Sequence, residues 1–315
     1  MKVLVAGATG AIGRELLPRL VERNHEVWGM TRTAEKRRQI EKMGAQAVVA
    51  DALDADAVAR AVAEAEPEVI IHEMTDLSAA DFNPRKLDET LAPTNRLRTE
   101  GTRHLLAAGR AVGIRKFVSQ SFAPYIYART GTGLKSEEDP VDPDPPKGVG
   151  TMIGAVREME EMVTSAEGID GVVLRYGLFY GEGTSISYPD GSHVAPILER
   201  KFPLVGDGGA VWSFIHVADA AEATVLALES DRTGIYNVVD DAPAPVSQWL
   251  PAMAEAVGAP PPRHVPKWVA RLLTGEAGVA MMTGLRGSSN AKAKQELGWQ
   301  PRHASVWQDL AGSVT

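Results

Sequence analysis

A glycine-rich segment near the start of the chain has the composition of a phosphate-binding turn. Residues 7–13 read GATGAIG, directly after the apolar run 3–6 and before a stretch with helical periodicity. Glycine permits the tight turn and lets the backbone approach a pyrophosphate, while the helix N-terminus offers free N–H groups and a positive dipole end. This strand–turn–helix context predicts a dinucleotide-binding site, and the alternative is a tight turn without a ligand.

The residues after the second apolar run bear on which dinucleotide binds. An NAD-binding unit usually carries an acid about 20 residues past the glycines, on the ribose 2′-hydroxyl. This chain has Thr31, Arg32 and Thr33 there, without an acid. A guanidinium binds phosphate with two hydrogen bonds, so Arg32 favours NADP(H), with NAD(H) as the alternative cofactor. The basic residues at 36–38 fit this interpretation or form a solvated helix face.

The first half of the chain alternates short apolar runs with amphipathic stretches, which is the pattern of βαβ units. Runs rich in valine and isoleucine predict buried strands at 3–6, 26–31, 46–50, 68–72, 116–121 and 171–175. Helical periodicity predicts helices at 12–23, 34–43, 55–64, 94–112 and 151–166. The predicted fold class is α/β, a Rossmann-type doubly wound parallel sheet with a smaller C-terminal substrate lobe.

Proline content and the loss of regular alternation suggest how the chain is divided. The segment PVDPDPP at 140–146 suits neither a helix nor a central strand, so 123–150 is predicted to be a long loop. We predict a dinucleotide-binding domain of residues 1–175 plus 211–241. Residues 176–210 plus 242–315 would form the small lobe, whose core would include the helically spaced Trp268, Val269, Leu272 and Leu273.

The composition excludes several classes of function. The 315 residues include no cysteine, which excludes disulfides, thiolate catalysis and cysteine-ligated metal sites. A formal net charge of -8 disfavours nucleic acids and anionic membranes as partners. No apolar stretch reaches the ~20 residues that span a bilayer, and the N-terminus lacks a signal-peptide pattern, so we predict a cytoplasmic protein. His72 and Glu73 are adjacent at a strand end and should face opposite ways, so no metal site is predicted.

Further segments carry a family resemblance along nearly the whole chain. They are LRYGLFYG at 174–181, FIHVAD at 214–219, ELGWQP at 296–301, and Asp51 after the third strand. With the glycine turn they resemble the short-chain dehydrogenase/reductase superfamily, specifically its atypical or extended, epimerase/dehydratase-like branch. The resemblance implies a nicotinamide cofactor, a small-molecule substrate, and a monomer or homodimer. Together with the glycine turn and Arg32, the resemblance predicts which residues bind the cofactor. They are Gly7, Thr9, Gly10, Ala11, Ile12, Gly13, Arg32, Asp51, Ala52, His72, Glu73 and Met74.

The catalytic residues of that family are largely missing. The family uses an asparagine, a serine or threonine, and the tyrosine and lysine of a YxxxK motif, which this sequence lacks. Alignment with the family pattern puts Met152 at the tyrosine position and Val156 at the lysine position. An alignment shifted by two residues puts Gly150 and Gly154 there instead. None of these four residues can transfer a proton. Arg98 stands at the asparagine position.

Other groups would have to supply the chemistry. Ser121 or Phe122 falls at the family's hydroxyl position, depending on one residue of register, and Tyr125 and Tyr127 follow on the long loop. A loop tyrosine would need a cation to lower its pKa, such as Arg98 or Lys135. The candidate catalytic residues are Ser121, Tyr125, Tyr127 and Arg98.

Substrate and reaction class stay open at this stage. Nucleotide-sugar enzymes of the family carry an arginine just before the FIHV segment, where this chain has Trp212 and Ser213, so a nucleotide sugar is disfavoured. The leading hypothesis is an NADP(H)-dependent oxidoreductase of atypical extended type that acts on a small carbonyl or alcohol without the YxxxK relay. The alternatives are a catalytically silent NADP(H)-binding redox sensor and a non-redox lyase or isomerase.

Overall fold

The structure is a computed structural model that describes residues 1–77, 84–189 and 191–314. Its strands are β1 (Lys2–Ala6), β2 (Glu26–Thr31), β3 (Gln46–Val49), β4 (Val69–His72), β5 (Lys116–Phe122), β6 (Asp170–Tyr176), β7 (Leu178–Tyr180), β8 (Leu204–Val205), β9 (Val211–Trp212), β10 (Phe214–His216), β11 (Gly234–Val238), β12 (Ala244–Pro245) and β13 (His264–Val265).

Its α-helices are α1 (Ala11–Glu22), α2 (Arg37–Lys42), α3 (Ala55–Ala65), α4 (Leu87–Thr90), α5 (Ala92–Arg96), α6 (Thr102–Val112), α7 (Gly150–Thr164), α8 (Val194–Leu198), α9 (Val217–Glu229), α10 (Val246–Ala256), α11 (Lys267–Thr283), α12 (Ala291–Leu297) and α13 (Val306–Val314). Short 3-10 turns lie at Ala34–Lys36 and Pro84–Lys86, and a π-helical turn at Leu97–Gly101.

A parallel sheet of seven strands forms the centre of the molecule. The strand order is β11-β6-β5-β4-β1-β2-β3, and every neighbouring pair is parallel. The order reverses between β1 and β4, and open α/β sheets bind ligands in the crevice at the carboxyl ends of the strands beside such a reversal. The predicted Rossmann-type doubly wound sheet is therefore confirmed.

Helices cover both faces of this sheet. Leu16, Leu17 and Leu20 of α1 pack with α9 on one face, and the apolar sides of α3, α6 and α7 pack on the other. Because both faces are buried, the strands consist of almost continuous apolar residues, such as Val3, Leu4 and Val5 of β1, which are fully buried.

Two predicted helices differ from the structure in their local geometry. The helix predicted at 34–43 begins as the 3-10 turn Ala34–Lys36 before α2. The helix predicted at 94–112 begins at Ala92 and contains the π-helical turn Leu97–Gly101 between α5 and α6. A π turn widens the hydrogen-bonded loop by one residue, which changes the direction in which the residues after it point.

The described segment 123–149 contains neither a helix nor a strand, which confirms the predicted long loop. One isolated antiparallel bridge, between Tyr127 and Val141, ties its two halves together. The loop therefore connects the carboxyl end of β5 to the start of α7 above the sheet edge at which ligands bind in this fold.

A third apolar core lies beside the sheet. Trp212 and Trp249 meet in it with their ring centroids 4.8 Å apart. Most of its buried residues come from 176–210 and 242–315, the segments assigned to the substrate lobe, and the domain boundaries themselves stay a prediction. Within the described part of the chain, none of the helices has the length and apolar character needed to span a bilayer.

The prediction that α11 packs its apolar stripe into this lobe is wrong for three residues. Trp268, Leu272 and Leu273 are 68%, 65% and 66% exposed, and the helix packs instead through smaller residues such as Ala270 and Ala277. Gly275 breaks the helical geometry in the middle of α11. Helical spacing identifies an apolar face but does not show whether another element covers it.

Candidate active site

The glycine turn between β1 and α1 has the geometry of a pyrophosphate cradle. A Cβ atom on Gly7 would lie 2.7 Å from the carbonyl carbon of Glu73, and one on Gly13 would lie 2.5 Å from the carbonyl oxygens of Gly7 and Ala8. Among the described residues, no side chain caps the N-terminus of α1, so the N–H groups of its first turn lack an intrahelical acceptor. A dinucleotide pyrophosphate fits these free donors.

Two predicted adenine-side residues follow the next strands of the sheet. Arg32 follows β2 and is exposed, with its Nη1 atom 3.6 Å from Asp76 Oδ2. Asp51 follows β3, and its Oδ1 accepts a hydrogen bond of 3.0 Å from the Leu53 N–H. The carbonyl of Ala52 lies 2.9 Å from the Nδ1 atom of His104. These residues lie at the same sheet edge as the glycine turn.

The residues at the end of β4 face opposite sides of the sheet, as predicted. His72 Nδ1 accepts from the Met74 N–H at 3.1 Å, and Nε2 lies 3.2 Å from the Leu97 carbonyl. Glu73 points the other way, and its Oε1 accepts a hydrogen bond of 3.2 Å from Tyr176. Burial lowers the pKa of His72 to about 4 and raises the pKa of Glu73 to about 8, so both side chains are neutral near pH 7. A cofactor at this segment would therefore meet no charged side chain from His72 or Glu73.

A buried polar network joins the end of β5 to α7 and β6. Ser121 Oγ donates to Glu160 Oε1 at 2.6 Å. Arg175 binds both oxygens of Glu160, with Nε at 2.8 Å and Nη2 at 2.6 Å. Arg175 Nη1 also donates to the Tyr127 hydroxyl at 2.9 Å, which in turn donates to Asn237 Oδ1 at 2.6 Å. The network thus brings together two predicted catalytic residues, Ser121 and Tyr127, around a carboxylate.

Neither Glu160 nor Arg175 was predicted from the sequence as a site residue. Both are almost fully buried, and their ion pair is bidentate. A signal for Glu160 was available, because it interrupts the buried stripe of α7 that includes Val156, Met159 and Val163. A carboxylate in such a stripe needs a charged partner, since unpaired buried charges are very unfavourable.

The two loop tyrosines lack the cations suggested from the sequence. Lys135 pairs with Asp139 at 2.9 Å, and the cation beside Tyr127 is Arg175. Burial raises the pKa of Tyr127 to about 12 in spite of that cation. Tyr125 stacks on Phe122 with centroids 5.6 Å apart, and burial raises its pKa as well. The hypothesis that Lys135 or Arg98 activates a loop tyrosine is therefore not supported by the geometry.

Arg98 lies in the π-helical turn between α5 and α6. It is only 6% exposed, and its one hydrogen bond within the described chain runs from Nη1 to Asn95 Oδ1 at 3.4 Å. It forms no ion pair with a described residue. Burial lowers the pKa of Arg98 to about 10, against the opposing effect of the Glu160 charge, so the guanidinium stays protonated near neutrality.

One histidine cluster has donor atoms close enough to suggest a metal site. His216, His303 and Asp309 bring their ligand atoms within 4.8 Å of one another. The two imidazole rings are stacked, with centroids 3.4 Å apart and planes 9° from parallel. Each imidazole lone pair lies in its own ring plane, so two stacked parallel rings do not direct their lone pairs at one ion. His216 Nδ1 also accepts from the Ala218 N–H at 3.1 Å, which caps α9.

Comparison with known proteins identifies the family. The family model described as "NAD dependent epimerase/dehydratase family" matches residues 3–239. The chain belongs to this family. Among its relatives, the "3-diazoavenalumate denitrifying reductase" of Streptomyces sp is 44% identical over 313 residues, which cover 99% of each chain. The "2-alkyl-3-oxoalkanoate reductase" of Stenotrophomonas maltophilia (strain K279a) is 28% identical and covers 82% of this chain and 77% of its own.

A solved structure of the family also superposes over the full length. The UDP-glucose 4-epimerase of Thermus thermophilus, in complex with NAD, gives a TM-score of 0.73 at 26% identity and covers 100% of both chains. The predicted epimerase/dehydratase-like branch is therefore confirmed. The comparisons support a nicotinamide cofactor without distinguishing NADP from NAD.

Within this epimerase/dehydratase family member, α7 carries apolar side chains at the two aligned relay positions. Met152 is 4% exposed and packs in a cluster with Leu87 and Leu91, while Val156 is 2% exposed and packs with Ile126. Gly150 and Gly154, the alternative alignment, offer no side chain at all. No proton donor is therefore present at either alignment.

The segment before β10 also differs from that of nucleotide-sugar enzymes of the family. Trp212 is buried and donates from Nε1 to the Met281 carbonyl at 2.7 Å. Ser213 is buried and accepts from the Ser288 N–H at 2.9 Å. Neither residue offers a cation for a diphosphate.

Proposed function

We propose that this chain is an NADPH-dependent reductase that transfers hydride to the diazo group of a small aromatic substrate, with loss of dinitrogen. The observation that carries the proposal is the pair of buried apolar residues, Met152 and Val156, at the relay positions beside an intact dinucleotide turn. The relative that matches 99% of this chain at 44% identity bears the name of a denitrifying reductase of a diazo compound, which supports the same chemistry here.

The chemistry explains why the relay would be dispensable. Hydride addition to a ketone leaves an alkoxide, which requires a proton from a positioned acid. Hydride addition to the terminal nitrogen of an aryl diazonium forms an N–H bond and a neutral aryl diazene. The diazene then breaks its C–N bond, releases N₂ and leaves hydrogen on the ring carbon. The positive charge of the diazonium is neutralised by the hydride, so the reaction balances without an added acid.

The residues of this chain would hold the reactants rather than transfer protons. When bound at the glycine turn, the dinucleotide supplies the hydride. The free N–H groups of α1 bind its pyrophosphate, and Arg32 binds the 2′-phosphate that distinguishes NADP from NAD. Ser121 and Tyr127 are held by Glu160, Arg175 and Asn237, so their hydroxyl protons are already donated within the protein.

Carbonyl reduction is the second candidate. The 28% identical relative named as a 2-alkyl-3-oxoalkanoate reductase favours it. In this case Tyr125, whose hydroxyl stays protonated because burial raises its pKa, or a water molecule would have to deliver the proton. A protein that binds NADPH without turnover would instead fit the role of a redox sensor.

The test uses an isotopically labelled aryl diazonium salt and, in parallel, a panel of 2-alkyl-3-oxo acids. NADPH consumption is followed by absorbance and dinitrogen release by mass spectrometry. We expect one N₂ released per NADPH consumed, and no release with Gly13→Val, whose side chain would meet the Gly7 and Ala8 carbonyls. Consumption of NADPH with the oxo acids alone would establish carbonyl reduction. NADPH binding without turnover of either probe would favour the sensor.

A further inference from the structure

We infer that Arg98 and Asn95 form a buried receptor for one carboxylate of the substrate, which makes the substrate a small acid with a single carboxylate. The inference rests on the proposed function only for the reaction that the bound acid undergoes. The binding of a carboxylate is argued from the charges and hydrogen-bond donors around the π-helical turn.

Arg98 is a buried cation without a counter-ion in the described chain. Among the described residues, the charge of Glu160 acts on it by raising its pKa. That carboxylate is already bound by Arg175 at both oxygens and accepts a third hydrogen bond from Ser121. Of the two cations, only Arg175 is hydrogen-bonded to this carboxylate, so Arg98, Arg175 and Glu160 together carry a net charge of one positive unit. A buried charge of this kind is favourable only when an anion pairs with it.

Neighbouring groups cannot neutralise Arg98. His72, whose pKa the Arg98 charge helps to lower, is neutral or cationic and never carries a negative charge. Glu73 faces the opposite side of the sheet and is protonated at pH 7, because burial raises its pKa to about 8. Neither of these described neighbours supplies a negative charge to Arg98, and a bound anion would supply one.

The residues that flank the turn also carry polar atoms without partners among the described residues. Asn95 Nδ2 and Thr102 Oγ1 are buried and form no hydrogen bond with described residues, and both side chains are more than nine-tenths buried. Asn95 holds the guanidinium with its Oδ1 atom, which leaves its amide N–H groups beside the free N–H groups of Arg98. A planar carboxylate matches this set, because it accepts two parallel bonds from a guanidinium and a further bond from an amide. A phosphate dianion would leave one negative charge unpaired.

The position of the turn places this receptor near the reacting centre. The Leu97 carbonyl, one residue before Arg98, binds His72 at the carboxyl end of β4. Glu160, on which the Arg98 charge acts, binds Ser121 at the carboxyl end of β5. The receptor thus lies at the sheet edge where this fold binds its ligands. π-helical turns occur frequently at functional sites, since they turn side chains away from the regular helix face.

The first test uses the unmodified protein loaded with NADP⁺ and needs no variant. Titration calorimetry compares 4-hydroxybenzoate, which has no diazo group and does not react, with its methyl ester. We expect the acid to bind at least about tenfold more tightly than the ester, because a charge-assisted hydrogen bond replaces an uncharged one. Equal affinities would overturn the inference. Diazo reduction without a preference for the acid would support the proposed function and contradict the carboxylate receptor. A preference for the acid without diazo reduction would support the receptor and contradict the proposed function.

The second test assigns the preference to Arg98. Arg98→Gln should abolish the preference for the acid, Arg98→Lys should keep part of it, and NADP⁺ affinity should not change in either variant. The matched control is Arg103→Gln on the same helical segment, where the exposed guanidinium pairs with Glu158. The acid should also raise the melting temperature of the unmodified protein but not that of Arg98→Gln. A preference that survives in Arg98→Gln would contradict the assignment.

Discussion

At the level of single residues, Arg32 is the side chain on which the cofactor preference should depend. Its ion pair with Asp76, at 3.6 Å, is exposed and contributes little to stability. Arg32→Asp should reverse the order of NADPH and NADH affinities, because an acid repels the 2′-phosphate and accepts from the 2′-hydroxyl. Calorimetric titration of both nucleotides measures this. The control is Arg60→Asp, an exposed charge reversal on α3. An unchanged ratio of NADPH to NADH affinity in Arg32→Asp would show that another residue binds the 2′ position of the ribose.

A second residue-level prediction concerns the ion pair between Glu160 and Arg175. Glu160→Gln leaves Arg175 buried without a counter-ion, and we expect a loss of about 3–5 kcal/mol in the free energy of unfolding. Glu158→Gln removes an exposed partner of Arg103 two residues away and should cost less than about 1 kcal/mol. Urea denaturation measures both variants. Similar small losses would mean that the buried pair does not stabilise the fold.

These residues also show how far the candidate site could be predicted from the sequence. The glycine turn was predictable because its function depends on residues that are adjacent in the chain. The Glu160 network was not, because its members lie far apart, with Ser121 39 positions and Arg175 15 positions from Glu160. Only the sheet register, which pairs Ser121 with Arg175 across β5 and β6, brings them to one point.

At the level of elements, two glycines around α7 should respond in opposite ways to alanine. A Cβ atom on Gly154 of α7 would meet nothing within 4 Å, so Gly154→Ala should stabilise the protein by about 0.5–1 kcal/mol through helix propensity. A Cβ atom on Gly171 of β6 would collide with the Val163 carbonyl of α7, so Gly171→Ala should cost about 1–3 kcal/mol. Thermal and urea unfolding measure both. A neutral Gly171→Ala would show that α7 and β6 separate easily.

The elements themselves were predictable to different degrees. Six of the seven strands of the large sheet were located within two residues, because burial on both faces gives them continuous apolar sequence, as in Val69–His72. The seventh strand, β11, was not predicted as a strand. The π-helical turn at Leu97–Gly101 was not predicted, since a one-residue change in hydrogen-bond register has no distinctive sequence pattern. The exposed Trp268 on α11 was predicted to be buried, because apolar spacing does not identify the partner of a helix face.

At the level of the whole molecule, two adjacent residues at the end of β4, His72 and Glu73, link the stability of the fold to pH. The pKa of His72 falls from 6.5 to about 4 through burial, so only the unfolded chain binds its proton in that range, and stability decreases as the pH falls from 6.5. The pKa of Glu73 rises from 4.5 to about 8, so only the unfolded chain releases its proton in that range, and stability decreases as the pH rises. Below pH 6.5 the two effects oppose each other.

The decrease in the free energy of unfolding between pH 7 and 8 should therefore be caused mainly by Glu73. Asp240, whose pKa burial raises to about 7, acts in the same direction but mainly at lower pH. We expect the free energy of unfolding to fall by up to about 1.4 kcal/mol per pH unit in this range. Glu73→Gln keeps the shape of the protonated side chain beside Tyr176 and should remove the decrease, whereas Glu161→Gln, exposed on α7, should preserve it. Urea denaturation at several pH values measures the slope. A wild-type stability that stays constant from pH 7 to 8 would mean that Glu73 is already ionised in the folded protein, and that a negative charge lies directly behind the glycine turn.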